Sequence, residues 1–238
     1  MEHAGKHALV TGGGSGIGES IARALADAGA QVTIAGRRAQ VLADVAATHR
    51  NIHALQMDVS DEVSVRKGIA QAAGLRGPMQ ICIANAGIAE GGAFAKVGLA
   101  DWRRMMAINL DGVFLTLQAA LQTLPAQMPA RMVVMSSIAG VRGLKGAVPY
   151  TVSKHAVIGL IRGLSEEYMR SSVTFNAICP GYVETDIVRT QLPGLMRRLD
   201  TDEAGAMAAL AKGNRHAKLL AVDEVTAAAM WLCSDAAG

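Results

Sequence analysis

The sequence predicts an α/β fold, in which helices cover both faces of a doubly wound parallel sheet. Short apolar runs alternate with helical patterns from end to end, the order expected of repeated βα units. Several of these runs are apolar at every position, as in strands that are buried on both sides. At 238 residues, the chain is long enough for one large domain, which we expect to span residues 1–238.

Individual elements follow from these runs and from the helical patterns between them. The glycine-rich turn after the first run opens a helix over residues 19–25, and two long helices are expected over 101–124 and 150–169. Residues 186–213 look helical and surface-like, which favours a mobile flap over a substrate, with plain helical packing as the alternative. The predicted strands are His7–Val10, Gln31–Ala35, Ile52–Met57, Gln80–Ala84, Arg131–Met135 and Val173–Ile178.

Composition limits the partners. A net charge of +3, scattered arginines and an aromatic content of 3% argue against a nucleic-acid surface. No run approaches the ~18 apolar residues of a membrane span, and the opening residues 1–6 leave no room for a signal peptide before the first strand. Cys82, Cys179 and Cys233 lie far apart in apolar surroundings, so we expect free thiols, no metal site and a cytoplasmic protein.

A glycine-rich turn, Thr11–Gly18, lies between the first strand and the first helix. Glycine lets the backbone turn tightly and approach a pyrophosphate, and the free N–H groups of a helix N-terminus attract its charge. Glycine clusters alone are often only turns, but this position favours a dinucleotide site. The candidate cofactor-binding residues here are Gly12, Ser15, Gly16 and Ile17.

The end of the second strand bears on which dinucleotide is bound. An acidic residue there would accept hydrogen bonds from the ribose hydroxyls of NAD, but the sequence reads Gly36-Arg37-Arg38. Guanidinium groups pair well with a phosphate, so the arginines favour the 2′-phosphate of NADP(H). The alternative is that both arginines point to solvent and that NAD(H) binds regardless.

Two later strand ends carry further candidates. Asp58 and Val59 follow the third strand and could contact the adenine, although a turn or N-cap aspartate is equally compatible. The fourth strand ends in Asn85-Ala86-Gly87, a small turn that would let the backbone approach the adenosine ribose. A simple loop is the alternative there.

A phenol and an ammonium stand four residues apart at Tyr150 and Lys154, so they share one helix face. A nearby positive charge favours the ionised form of a phenol, whose free pKa is about 10. Tyr150 could therefore act as a general acid or base near neutral pH. Ser137 precedes this tyrosine by 13 residues. Because Tyr-x-x-x-Lys also occurs on solvated helices, the pair alone does not establish catalysis.

Together, these motifs resemble the short-chain dehydrogenase/reductase family in its single-domain form, over nearly the whole chain. The resemblance implies a Rossmann-like domain and hydride transfer between a nicotinamide and a carbonyl or secondary alcohol. The motifs that carry it, in the family's order and spacing, are the glycine-rich turn, Asn85-Ala86-Gly87, Asn109, Ser137, Tyr150 with Lys154, and the run Pro180-Gly181-Tyr182-Val183-Glu184-Thr185.

The resemblance also implies a role for each residue. Tyr150 would be the catalytic acid or base, Lys154 would lower its pKa and bind the nicotinamide ribose, and Ser137 would hydrogen-bond the substrate oxygen. Asn109 would hold a water that links Lys154 to solvent. On their own, Ser137 could equally cap a turn and Asn109 could satisfy backbone groups. The nicotinamide pocket would be lined by Pro180, Gly181, Val183 and Thr185.

Three positions depart from the family pattern. Ala84 stands where many relatives carry a second asparagine. Ser15 replaces a basic residue of many NADP-preferring relatives, which leaves phosphate recognition to Arg37 and Arg38. The sequence stops at Gly238, where relatives usually continue into a strand that closes the sheet edge, so we expect a truncated or disordered end. Helices 101–124 and 150–169 would pair subunits into dimers or tetramers, unless their apolar faces are core.

Three functions are therefore compared. The first is an NADP(H)-dependent oxidoreductase, and the segment 214–225 resembles relatives that act on 3-oxoacyl or 3-hydroxyacyl thioesters. The second is an NAD-dependent secondary alcohol dehydrogenase, and the third is a nucleotide sensor without turnover, which the complete catalytic set argues against. The basic residues that could meet a phosphopantetheine or coenzyme A phosphate, or could simply be solvated, are Arg142, Lys145, Arg189, Arg197 and Arg198.

Overall fold

The computed structural model describes the backbone of residues 1–238 and every side chain except those of residues 187 and 191. Six parallel strands form one sheet in the order β3-β2-β1-β4-β5-β6. All six predicted strands are confirmed, with ends that differ by no more than one residue. The strands are β1 (His7–Thr11), β2 (Gln31–Gly36), β3 (Ile52–Gln56), β4 (Met79–Ala84), β5 (Ala130–Met135) and β6 (Val173–Ile178).

Helices connect the strands and follow the predicted patterns. The long helix expected over 101–124 is interrupted, because a π-helical turn at Ala107–Asp111 separates two shorter helices. The α-helices are α1 (Gly16–Asp27), α2 (Ala39–Ala46), α3 (Glu62–Arg76), α4 (Leu99–Met106), α5 (Gly112–Leu121), α6 (Val148–Glu167), α7 (Asp186–Leu199), α8 (Glu203–Ala211) and α9 (Val222–Cys233).

Buried side chains divide between the two faces of the sheet, which confirms the doubly wound arrangement. Successive residues of a strand point to opposite faces, and Leu9 and Val10 accordingly belong to different core clusters. Val10 packs in the cluster that contains residues of α1, α2 and α9, whereas Leu9 packs with residues of α3, α5 and α6. The apolar runs of the sequence are therefore central strands covered by helices.

The segment 186–213 is helical, as predicted, and its two helices form a small apolar cluster of their own. Val188, Leu192 and Leu195 of α7 pack against Ala206 and Leu210 of α8. Pro193 lies inside α7, where a proline removes one i→i−4 hydrogen bond. None of the helices among the described residues is long and apolar enough to cross a bilayer.

Strand order determines where a ligand can bind. β1 lies between β2 and β4, so the chain changes direction across the sheet at this strand. In open α/β sheets, ligands bind in the crevice beyond the carboxyl ends of the strands at such a reversal. The glycine-rich turn follows β1 and the Asn85-Ala86-Gly87 turn follows β4, so the fold brings both to this crevice.

Candidate active site

Two connected clefts lie beyond the carboxyl ends of the strands. The first has a volume of about 390 Å³ and the second, larger one about 800 Å³. Asn85, Gly87 and Thr185 line both clefts, so they mark the junction. The first cleft contains the predicted residues of the adenosine and pyrophosphate half, which are Gly12, Ser15, Gly16, Ile17, Arg37, Arg38, Asp58, Val59, Asn85, Ala86 and Gly87. Its shape and lining fit a dinucleotide.

The glycine-rich turn has the geometry that a pyrophosphate requires. Gly16 begins α1 with a φ of +55°, a conformation that favours glycine, and it lines the first cleft. A Cβ on Gly18 would lie 2.4 Å from the carbonyl oxygen of Gly12, so only glycine lets the helix approach the turn this closely. The first N–H groups of α1 are thereby held at the cleft, where they can bind an anion.

Thr11 and Asn85 join the ends of β1 and β4. The Thr11 hydroxyl oxygen accepts hydrogen bonds from the backbone N–H groups of Asn85 and Ala86, both at 3.0 Å. In return, the Asn85 side-chain amide donates to the Thr11 carbonyl at 3.0 Å. Thr11 was not among the predicted site residues, although a polar residue at the end of an otherwise apolar strand is the signal that would have identified it.

The two arginines after β2 lie at the adenosine end of the first cleft. Both side chains are exposed, and Arg38 donates to the Ser15 hydroxyl at 3.3 Å. Ser15 therefore helps to orient the guanidinium of Arg38. Asp58 accepts from the backbone and hydroxyl of Ser60 at 2.9 and 2.7 Å, and these hydrogen bonds, aided by the charge of Arg37, lower the pKa of its carboxyl. Asp58 orders a turn, as the alternative expected, and it lines the cleft, so its contact with adenine stays a prediction.

Ser137, Tyr150 and Lys154 meet in the second cleft, as predicted. Ser137 follows β5 and caps a short 3-10 turn, where its side-chain oxygen accepts from the Ala139 N–H at 3.1 Å. Its hydroxyl proton is therefore free to be donated. Burial of the phenol raises the pKa of Tyr150, and a hydrogen bond from Ser137 partly offsets that rise. Tyr150 lies in the first turn of α6 and is half-buried.

Lys154 lies one helical turn further along α6 and is only 4% exposed. Its ammonium donates to the Met135 carbonyl at 2.8 Å and lies 5.8 Å from the centroid of the Tyr150 ring. Burial lowers the pKa of this amine to about 8, although the neighbouring Cys179 acts in the opposite direction. The buried cation is therefore held by a backbone carbonyl and lies near the tyrosine ring.

The pKa of Tyr150 is raised, because burial of the phenol outweighs the hydrogen bond from Ser137. The hydrogen bond that the Lys154 ammonium makes goes to the Met135 carbonyl, and the described residues show none from it to the phenolic oxygen. The predicted lowering of the Tyr150 pKa by Lys154 therefore stays a prediction. Burial disfavours the charged form of each group. The phenol of Tyr150 therefore keeps its proton, and the ammonium of Lys154 loses its proton more readily than a lysine in water.

Asn109 lies in the π-helical turn and is fully buried. Its side chain pairs reciprocally with Ile88, accepting from the backbone N–H at 2.8 Å and donating to the carbonyl at 2.9 Å. The amide also donates to the Ser153 hydroxyl on α6 at 3.2 Å. A Cβ on Gly87 would lie 3.2 Å from the Asn109 side-chain oxygen and 3.6 Å from the Lys154 nitrogen, so Asn109 and Lys154 flank this glycine.

The loop after β6 lines the second cleft with Pro180, Gly181, Val183 and Thr185, as predicted. Asn214 holds this loop in place, because its side chain accepts from the Tyr182 N–H and donates to the Tyr182 carbonyl, both at 2.8 Å. The individual role of Asn214 was not predicted, since an asparagine 32 residues away in sequence gives no signal of this contact.

The basic residues considered for a phosphate separate into two groups. Lys145, Arg197 and Arg198 line the second cleft with Tyr150. Arg142 instead donates to the Gly213 carbonyl at 3.0 Å, and Arg189 pairs with Glu184 at 3.7 Å; neither lines a cleft.

The cleft at the carboxyl ends of the strands has a lining that suits a dinucleotide, and it is continuous with the cleft that holds Ser137, Tyr150 and Lys154. This arrangement defines a nicotinamide-dependent oxidoreductase. The family model described as short chain dehydrogenase matches residues 6–194, and the chain belongs to this family. The family prediction is therefore confirmed, and with it the enzyme class, an oxidoreductase that acts on carbonyl or hydroxyl groups.

Curated relatives and a solved structure agree with this assignment. The chain is 36% identical over 188 residues to the 3-oxoacyl-[acyl-carrier-protein] reductase FabG of Aquifex aeolicus, covering 77% of this chain and 76% of that protein. It is 37% identical over 236 residues to the cis-4-hydroxycyclohexanecarboxylate dehydrogenase of Sinomonas cyclohexanicum, covering 97% of this chain and 90% of that protein. A crystal structure of a variant actinorhodin polyketide ketoreductase with NADPH superposes with a TM-score of 0.93 at 28% identity, covering 98% of this chain and 91% of that one.

Proposed function

We propose that this protein is an NADP(H)-dependent reductase that interconverts a ketone and a secondary alcohol. The observation that carries the proposal is the meeting of Ser137, Tyr150 and Lys154 in the larger cleft, with Lys154 beside Gly87, which lines both clefts. Arg37 and Arg38 supply the positive charge that a 2′-phosphate needs. The relative crystallised with NADPH supports the same choice of cofactor.

The proposed chemistry uses the protonated phenol. When bound, the nicotinamide supplies a hydride to the carbonyl carbon, and charge then builds on the carbonyl oxygen. Ser137 and Tyr150 place two hydroxyl donors where that charge develops, and Tyr150 transfers its proton so that the alcohol forms. The raised pKa of Tyr150 keeps it protonated at neutral pH. The Lys154 ammonium stabilises the tyrosinate that is left behind.

The cofactor contacts beyond the phosphate are part of the proposal. Lys154 would bind the nicotinamide ribose, and Asn109 would support Lys154 through the segment that it fixes at Ile88. The carboxamide and ring would meet the loop after β6, through Pro180, Gly181, Val183 and Thr185. Asp58 and Val59 would contact the adenine.

Substrates of two kinds fit the relatives. One relative is named for a 3-oxoacyl group on a carrier protein and another for a hydroxycyclohexanecarboxylate. We propose that this enzyme acts on a ketone or alcohol of either kind, and that helices α7 and α8, which cover the larger cleft, form a flap over it. A cytoplasmic location stays a prediction from the sequence.

Association into a dimer or tetramer is also proposed. Large apolar side chains are exposed on the helices expected to pair subunits, including Leu99 and Phe114 on α4 and α5, and Val148 and Val152 on α6. Burying such surface against a second copy would be favourable.

The deciding experiment follows NADPH oxidation with a panel of ketones for the wild type, Tyr150→Phe and a control, Tyr168→Phe. Tyr168 lies at the end of α6 and packs against Phe175, away from both clefts. We expect Tyr150→Phe to lose about 10³-fold in kcat, the range of a positioned general acid, while it still binds NADPH and Tyr168→Phe stays active. A Tyr150→Phe enzyme that keeps most of the wild-type rate would refute the mechanism.

A further inference from the structure

The larger cleft carries an uneven distribution of charge at its rim. Apart from Lys154, its charged lining residues are three cations, Lys145, Arg197 and Arg198, and one carboxylate, Glu90. Glu90 is already paired with Arg104, which lies outside the cleft. Among the described residues, the three cations form no ion pair. The rim is therefore positive, with its only lining carboxylate engaged elsewhere.

Two of these cations, Lys145 and Arg198, lie at the loop that leads into α6. Lys145 and Gly146 belong to this loop, and a Cβ on Gly146 would lie 3.7 Å from a guanidinium nitrogen of Arg198. The Gly146 carbonyl accepts from the Gly92 N–H at 2.7 Å, which fixes this loop against the segment after β4. Gly146 precedes Tyr150 by four residues, and Arg198 lines the same cleft as the phenol.

We propose that the substrate carries an anionic group remote from its ketone and that Arg198, with Lys145 and Arg197, binds that anion. This inference rests on the proposed function and names the substrate class for the same site. A planar guanidinium suits a carboxylate or a phosphate, because both offer paired oxygens. The anion has two possible sources, a carboxylate on the substrate itself or a phosphate on the carrier of a thioester. The two have the same charge chemistry at Arg198 but belong to different molecules.

Two matched pairs of ketones separate these sources. The first pair is 4-oxocyclohexanecarboxylate and its methyl ester, and the second is acetoacetyl-4′-phosphopantetheine and acetoacetyl-pantetheine. Within each pair the ketone is the same and only the remote charge differs. We expect the charged member of one pair to have a kcat/KM at least tenfold above that of its neutral partner. The pair that shows the preference identifies the source of the anion.

Substitutions then assign the preference to residues. For an exposed charge contact, Arg198→Ala is expected to lower kcat/KM for the preferred anion about fivefold, mainly through KM, because the contact is the same in the ground and transition states. Adding Lys145→Ala should extend the loss to about thirtyfold. The neutral partner should be unaffected, and salt at about 0.5 M should reduce the preference by screening. The control is Arg189→Ala, which removes the same charge from the same helix outside the cleft.

Separate outcomes test the inference and the function on which it rests. Equal kcat/KM for charged and neutral ketones, or equal losses for both in Arg198→Ala, would overturn the anion site and leave the reductase intact. If no ketone of either pair or of the wider panel is reduced, the proposed function fails. The anion site is then judged by calorimetric titration with cyclohexanecarboxylate and with coenzyme A, neither of which has a ketone. Binding of one of them that weakens in Arg198→Ala but not in Arg189→Ala supports the site, and binding that is equal in all three proteins, or absent, refutes it.

Discussion

Lys154 has to be charged for the proposed chemistry, yet its charge destabilises the fold. The amine is almost completely buried, and its pKa is lowered from 10.5 to about 8. Above pH 8 the folded protein releases this proton, while the unfolded chain holds it until about pH 10.5. The unfolded state therefore binds more protons in this window, so the contribution of Lys154 to stability rises with pH and is least favourable below pH 8.

The size of this effect follows from the pKa values. At about 1.4 kcal/mol per pKa unit, the charged amine costs the fold about 3 kcal/mol at neutral pH. Because the group is buried, this figure needs no reduction for solvent screening. Between pH 7 and pH 10, the free energy of unfolding of the wild type should rise by about 2 to 3 kcal/mol relative to a variant that cannot titrate at this position.

Lys154→Met is that variant, and urea unfolding at a series of pH values is the measurement. The exposed Lys67 on α3 supplies the control, since Lys67→Met removes an equivalent charge from solvent. We expect the difference between the wild type and Lys154→Met to change by about 2 to 3 kcal/mol over this range, and that between the wild type and Lys67→Met to stay nearly constant. A difference for Lys154→Met that does not change between pH 7 and pH 10 would refute the buried charge.

The rate of ketone reduction at saturating substrate should also depend on Lys154, and it should fall as pH rises through about 8, where this amine loses its charge. A rate that stays constant from pH 7 to 9.5 would contradict this. Arg38→Ala should raise the KM for NADPH about tenfold or more with little change in the KM for NADH, because it removes a charge-assisted contact. Equal changes for both cofactors would show that Arg38 does not bind the 2′-phosphate. Gly18→Ala should lower the midpoint of thermal unfolding by several degrees and weaken dinucleotide binding, because the new Cβ would clash with the Gly12 carbonyl oxygen. An unchanged midpoint would mean that the turn can shift to make room for it. Asn214→Ala should raise the KM for NADPH several-fold, because the loop after β6 loses two hydrogen bonds. The pH dependence of the rate should not change. Unaltered kinetics would show that the loop keeps its conformation without these bonds.

The fold could be predicted because its information is local. Runs such as Ile81-Cys82-Ile83 specify buried strands, and the glycine-rich turn specifies what lies between the first strand and helix. Residue identities at the strand ends were equally informative, since parallel strands bring their carboxyl ends to one edge. The π-helical turn at Ala107–Asp111 was missed because helical periodicity does not reveal one extra residue in a turn.

Charge states at the site could not be read from spacing. The i, i+4 spacing correctly placed Lys154 beside the Tyr150 ring. It carries no information on burial, which raises the pKa of Tyr150 and lowers that of Lys154. Contacts between distant residues were hidden in the same way. Asn214 and Tyr182 are joined only by the fold, and the sequence assigned Thr11 to the glycine-rich turn without revealing its hydrogen bond to Asn85.

Helix α7 lines both clefts. Asp186, in its first turn, lines only the dinucleotide cleft, whereas Leu195, Arg197 and Arg198, beyond Pro193, line only the larger one. Thr190, between them, lines both clefts. A movement of this helix that admits a larger ketone would therefore also displace residues beside the nucleotide, so that substrate range and cofactor affinity should change together.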